Sequence, residues 1–150
     1  VEYFGRLYDM PDAALRERME LLFERLQMQD FRDVLGAKLS TGMKQKTSIA
    51  RTLVHDPPVM IFDEPTLGLD IMTARTIIEF IRECRDRGKT VIFSTHVMSE
   101  VEKLCDIVGI IQNGKLLAEG TIEQLRQRHG VNDMEEIFVR IVTPHYKEAD

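Results

Sequence analysis

The chain has 150 residues, 43% of them hydrophobic, and its 20 basic and 25 acidic side chains give a net charge of −5. This supports one ordinary core, while an acidic balance without a basic block speaks against nucleic acid as a partner. No apolar run approaches the roughly 18 residues of a membrane span and no signal peptide is visible; Cys84 and Cys105 lack metal spacing and read as reduced core residues of a cytoplasmic protein.

The first residue is Val1, not Met, which points to a piece of something longer. Residues 1–11 mix aromatics, Gly5 and charge and read as a helix end or loop. From Asp12, the expected N-cap, the helical spacing of Leu15, Met19, Leu22, Phe23 and Leu26 predicts an amphipathic helix over 13–28. Asp30 to Gly36 turns the chain. Next comes Leu39-Ser40-Thr41-Gly42-Met43-Lys44-Gln45-Lys46, with Ser40 as N-cap of a helix running to His55. Gly42 would let another molecule approach the backbone, and exposed N–H groups at a helix start suit an anion. On this stretch alone, a plain capped helix is the simpler reading. Pro57 and Pro58 end it.

Val59-Met60-Ile61-Phe62 is an unbroken apolar run and predicts a strand buried on both faces. It ends in Asp63 and Glu64, and Pro65 has no N–H to extend a ladder. Open α/β sheets build active sites where buried strands deliver polar groups to their C-terminal edge. One acid there would be an ordinary solvated turn. Paired acids followed by Pro65-Thr66 and the Gly68-Leu69-Asp70 turn place the expected chemistry here.

A helix from Met72 to Arg87 follows, with Ala74, Ile77, Ile78 and Ile81 facing inward and Gly88 as its C-cap. Thr90 to Thr95 predicts a second buried strand ending at His96, and the pair reads as a right-handed parallel βαβ unit. That topology puts Ser94, Thr95 and His96 on the same edge as Asp63 and Glu64, which strengthens the functional reading of the histidine. A short helix over 98–105, a strand from Ile107 to Gln112, an Asn113-Gly114 hairpin turn into Lys115–Glu119, and a helix from Gly120-Thr121 to Gln127 complete the pattern. The tail alternates Ile137, Val139 and Ile141 and ends in a polar segment.

Together, Leu39-Ser40-Thr41-Gly42-Met43, Val59 to Glu64, Gly68-Leu69-Asp70 and Ser94-Thr95-His96 resemble the ATP-binding subunits of ABC transporters. In order, they are similar to that family's signature motif, Walker B with its catalytic glutamate, D-loop and H-loop. Glu100, Asp106 and Gly114 fit the pattern beyond the H-loop, and the resemblance covers residues 1–125. It implies an α/β fold, a partial P-loop NTPase with a parallel sheet core, a helical subdomain, and a C-terminal hairpin and helix. The implied division is 1–56 (helical signature subdomain), 57–130 (C-terminal part of the RecA-like ATPase core) and 131–150 (tail).

This sequence departs from the pattern in two ways. Thr41 and Met43 stand where the usual signature has Gly and Gln, a variant similar to the sodium- and drug-export branch. A Walker A loop, Gly-x4-Gly-Lys-Ser/Thr, is missing. Gly88-Lys89-Thr90 looks like its end, but Glu83 stands where the first glycine belongs, and the triplet precedes a strand rather than a helix. The adenine-stacking aromatic and the Q-loop glutamine are also missing. The chain thus resembles the C-terminal part of a nucleotide-binding domain.

The resemblance implies ATP and Mg²⁺ as cofactors. Asp63 would take the metal through water, and Glu64 would be the general base. His96 would hydrogen-bond the γ-phosphate and attacking water. Ser40, Thr41, Gly42 and Met43 would reach ATP held by the opposite subunit, with Ser40 and Gly42 on its γ-phosphate, and Gly68, Leu69 and Asp70 would organise the contact between subunits. The implied partners are a second copy, arranged head to tail, and an integral membrane permease at the cytoplasmic face. Other readings stay open: a soluble ABC-type ATPase of chromosome maintenance or translation, or a non-catalytic interaction fragment. Without the Walker A strand between the His96 strand and the Ile107–Gln112 strand, those strands are expected to pair directly or to be shared in a swapped homodimer.

Overall fold

The computed structural model describes residues 1–146. Packing divides the chain into two units, the first from Val1 to Ser94 and the second from Thr95 onward. This is a boundary of contacts, distinct in kind from the subdomain boundaries expected after 56 and 130.

The first unit opens with α1 (Glu2–Leu7) and α2 (Asp12–Arg25). Pro11, at φ −58° and ψ 140°, takes the cap position instead of Asp12, which falls in the first turn of α2. There its charge favours the positive end of the helix. Leu15, Leu22 and Leu26 are buried on the inner side, and Gln27, at φ +53°, turns the chain away three residues short of the expected end. Short 3₁₀ turns at Gln29–Phe31 and Gly36–Lys38 lead into α3 (Thr41–Leu53). Ser40 caps α3 as expected, accepting from the Met43 N–H at 3.3 Å.

β1 (Val59–Asp63), α4 (Ile71–Asp86) and β2 (Thr90–Ser94) form the expected parallel unit, in register from Val59 opposite Thr90 to Asp63 opposite Ser94. Gly88, at φ +80°, ends α4 in the left-handed conformation that glycine adopts without strain. The burial expected for the strands is corrected. Met60 (2%) and Phe62 (9%) are buried, but Val59 (50%), Ile61 (73%) and Ile92 (56%) are exposed. A continuous apolar run shows that a strand is suited to two covered faces; here only one face is covered.

The second unit contains α5 (Met98–Leu104), the antiparallel pair β3 (Val108–Gln112) and β4 (Lys115–Gly120), α6 (Ile122–His129) and α7 (Met134–Tyr146). Asn113 (φ +49°) and Gly114 (φ +72°) supply the two left-handed positions that a tight hairpin turn needs. Thr121 and Gln124 cap α6 reciprocally, at 3.2 and 3.0 Å. The alternation read in the tail is corrected to a helix. Ile137 and Ile141 lie four apart and enter a core with Met134, Val142, Leu125 and Val108, while Val139 is exposed. The polar end at 147–150 lies outside the described residues.

Among the described residues, β2 pairs with β1 and β3 with β4. Direct pairing of strand 90–95 with strand 107–112, one of the two expected alternatives, is not seen among these residues.

Candidate functional site

The C-terminal edge of the β1/β2 pair places Asp63 opposite Ser94. The Ser94 hydroxyl donates to Asp63 Oδ1 at 2.6 Å and accepts from the Glu64 N–H at 3.0 Å. One side chain therefore sets the carboxylate of the first acid and the backbone of the second. Glu64 has φ +44°, in the left-handed region that costs a non-glycine residue about 1–2 kcal/mol.

The loop that follows is tied down carbonyl by carbonyl. The Glu64 carbonyl accepts from the Leu67 N–H at 3.1 Å and the Thr66 carbonyl from the Leu69 N–H at 3.2 Å. Between them, the carbonyl of fully buried Pro65 accepts from Gln45 Nε2 at 3.1 Å. A carbonyl only accepts, so the amide nitrogen of Gln45 must face it. Backbone strain held in this way is found where a site is preorganised.

Ser40 and Thr41 are exposed at the start of α3, and Gly42 and Met43 are half-buried. Met43 also takes part in the cap: its sulfur accepts from the Ser40 N–H at 3.5 Å, filling the place of the usual Glu or Gln with a weaker acceptor. Within the chain, Gly42 sits close to the start of α4. A Cβ added there would lie 3.1 Å from Thr73 Cγ2, in the first turn of α4.

Asp70 caps that same turn, accepting from the Met72 and Thr73 N–H groups at 3.0 Å each. The Thr73 amide, followed by the Thr73 hydroxyl, holds the Asp70 carboxyl below the usual range. On α3, burial lowers the pKa of the Lys46 amine, and the Asp70 charge opposes that shift. Gly68 turns at φ +71°, Leu69 is half-buried, and Leu67, Ile71 and Met72 are 62%, 84% and 69% exposed around it.

The first unit thus brings together Asp63, Glu64, the Ser40–Met43 helix start and the Gly68–Asp70 turn. His96 belongs to the second unit, exposed in the turn before α5. That turn is organised by Thr95, whose hydroxyl accepts from the Val97 N–H at 3.1 Å and donates to Glu100 at 2.7 Å. Sequence reasoning attached no role to Ser94 or Gln45. The strand register carried a signal for Ser94, since it stands opposite Asp63; Gln45 is twenty residues from its partner and left none.

Among the described residues no group of three or more His, Cys, Asp or Glu gathers as a metal cage. The carboxylate oxygen of Asp63 suits a hard cation such as Mg²⁺, which keeps waters and takes one or two protein oxygens beside those of a phosphate substrate.

Comparison with known proteins gives a consistent picture. A family profile described as ABC transporter matches residues 4–67. The ABC transporter ATP-binding protein NatA of Bacillus subtilis (strain 168) is 40% identical over 139 residues, covering 93% of this chain and 56% of that protein. The Nod factor export ATP-binding protein I of Rhizobium sp. (strain N33) is 38% identical over 154 residues, covering 98% and 51% respectively. A solved ATP-binding subunit of an ABC transporter superposes with TM-score 0.83 at 29% identity, over 93% of this chain and 59% of its own. A dimeric ATP-binding cassette in a post-hydrolysis state, bound to ADP and phosphate, gives TM-score 0.66 at 25% identity over 75% of this chain and 49% of its own. The chain spans about half the length of the curated relatives it matches.

Proposed function

Because the chain belongs to the ABC transporter family of ATP-binding proteins, we propose that it forms the C-terminal part of the ATP-hydrolysing subunit of a transporter. In this reading residues 1–56 are the helical signature subdomain, 57–130 the C-terminal part of the ATPase core and 131–150 a tail. The observation that carries the proposal is the edge where Ser94 bonds both Asp63 and the Glu64 backbone. It fixes the Asp63 carboxylate against the backbone of Glu64 at the C-terminal end of a parallel strand, where such folds bind ligands.

Glu64 takes the proton of the attacking water, and Asp63 would hold Mg²⁺. Bound magnesium would supply charge neutralisation at the phosphate oxygens. His96 donates to charge growing on the γ-phosphate. Ser40, with Thr41, Gly42 and Met43, contacts ATP held by a second copy. The exposed Leu67, Ile71 and Met72 beside Gly68–Asp70 supply apolar surface for that copy. None of the described helices is long and apolar enough to cross a membrane. The membrane partner in this reading is an integral permease, with this subunit at its cytoplasmic face.

The test uses a longer polypeptide in which a Walker A segment precedes these residues. Its MgATP hydrolysis is expected to be at least about tenfold slower after Ser40→Ala, the loss of a contact made only in the assembled transition state. ATP affinity of the isolated monomer should stay within about twofold, because that contact is made across the subunit boundary. If Ser40→Ala abolishes binding to the monomer, the placement in trans is wrong. If the unsubstituted polypeptide hydrolyses no MgATP, a non-catalytic interaction role replaces the motor reading.

A further inference from the structure

The first two turns of α3 approach the segment after Glu64 at two places. Gly42 lies close to Thr73 at the start of α4, and Gln45 donates to the Pro65 carbonyl. The Gln45 contact lies one peptide unit beyond the residue whose backbone is strained. Glu64 is pinned on its N-terminal side by Ser94 and through the next carbonyl by Gln45, so its φ of +44° is held from both directions. Remove either tie, and the strained residue can relax toward a commoner conformation, carrying its carboxylate with it.

We propose that Gln45 is a positioning residue for the base: its amide holds the Pro65 carbonyl, aims the Glu64 carboxylate, and links the Ser40–Met43 helix start to the acid in the same chain. The proposal rests on the hydrolytic reading above. It adds that one helix serves two ATP sites, since its N-terminus faces the partner's nucleotide while its second turn holds its own base. Gln45 touches no substrate, and its effect runs through backbone geometry alone.

The distinguishing experiment again uses the longer polypeptide. Gln45→Met, which keeps length and removes the donor, is expected to lower kcat by about 10- to 100-fold, as small misplacements of a reacting group do. KM for MgATP should change less than about twofold, because misplacing the base affects the transition state alone. Gln45→Glu supplies a donor only when protonated, so its rate relative to wild type should climb as the pH falls through the carboxylic-acid range, while the Met variant stays flat. In a Glu64→Gln background, Gln45→Met should leave the ATP-dependent dimer intact by size-exclusion chromatography.

An unchanged kcat, a Glu variant that tracks Met at every pH, or loss of the trapped dimer would each overturn the proposal. The last would assign Gln45 to nucleotide capture. Failure of the functional reading looks different, since the unsubstituted polypeptide would then show no hydrolysis to perturb.

Discussion

Replacing Glu64 by Gln in the longer polypeptide is expected to lower MgATP hydrolysis by about 10²–10⁴-fold, the usual contribution of a general base. Glutamine matches the shape of the side chain but cannot take a proton from water. The backbone bonds at this residue, from its N–H to Ser94 and from Leu67 to its carbonyl, do not involve the carboxylate and should survive. ATP binding should therefore persist, and the closed dimer should accumulate at saturating MgATP. Size-exclusion chromatography with and without nucleotide reads this directly. A variant that is monomeric under these conditions, or one that still turns over near the wild-type rate, would remove Glu64 from its assigned role.

A second large effect is expected on the oligomeric state of the 150-residue chain by itself. Val59, Ile61 and Ile92 form an exposed apolar face on a two-stranded sheet. Fully burying such a side chain contributes about 1.5–3 kcal/mol, and because all three are already partly covered the gain from both copies is of the same order as the association cost of about 4–15 kcal/mol. Face contact alone therefore gives weak association. Strand edges that pair between copies add hydrogen bonds, so an interleaved or swapped dimer is expected over simple stacking. Light scattering should give a mass above that of a monomer, rising with concentration. The double change Ile61→Lys with Ile92→Lys should return it to monomer, since two charges on that face cannot be buried unpaired. A unitary monomer with sharp, cooperative unfolding before any substitution would end this idea.

Features set by neighbouring residues were legible in the sequence. Ser40 before an apolar-periodic run capped a helix, and Asn113-Gly114 made a hairpin, because both depend on backbone chemistry within four residues. Asp63 and Glu64 were legible as acids at a strand end. Two misreadings have separate causes. Ile137, Val139 and Ile141 fit a period of two and also contain the i, i+4 pair of a helix; Met134 and Val142, on the buried side, decide the matter. Val59 and Ile61 have the composition of a doubly covered strand, but composition says nothing of what lies over it. The role of Gln45 depends on a loop folding back across twenty residues, and spacing held no trace of it; Ser94 was placed on the right edge by the βαβ topology, and only the register shows that it bonds Asp63.

The left-handed backbone at Glu64 also filters which side chains the position can accept, apart from any chemistry they perform. Asparagine, aspartate and glycine tolerate φ of +44°, whereas valine, isoleucine and threonine, branched next to the backbone, do not. In a saturation library sorted only for folded protein, glycine and asparagine at 64 should therefore outnumber the branched residues, although none of them can act as a base. Neutral drift through this codon is channelled toward small polar residues and glycine. A lineage that loses hydrolysis here is expected to pass through those substitutions and could end with a more stable loop than the active protein has.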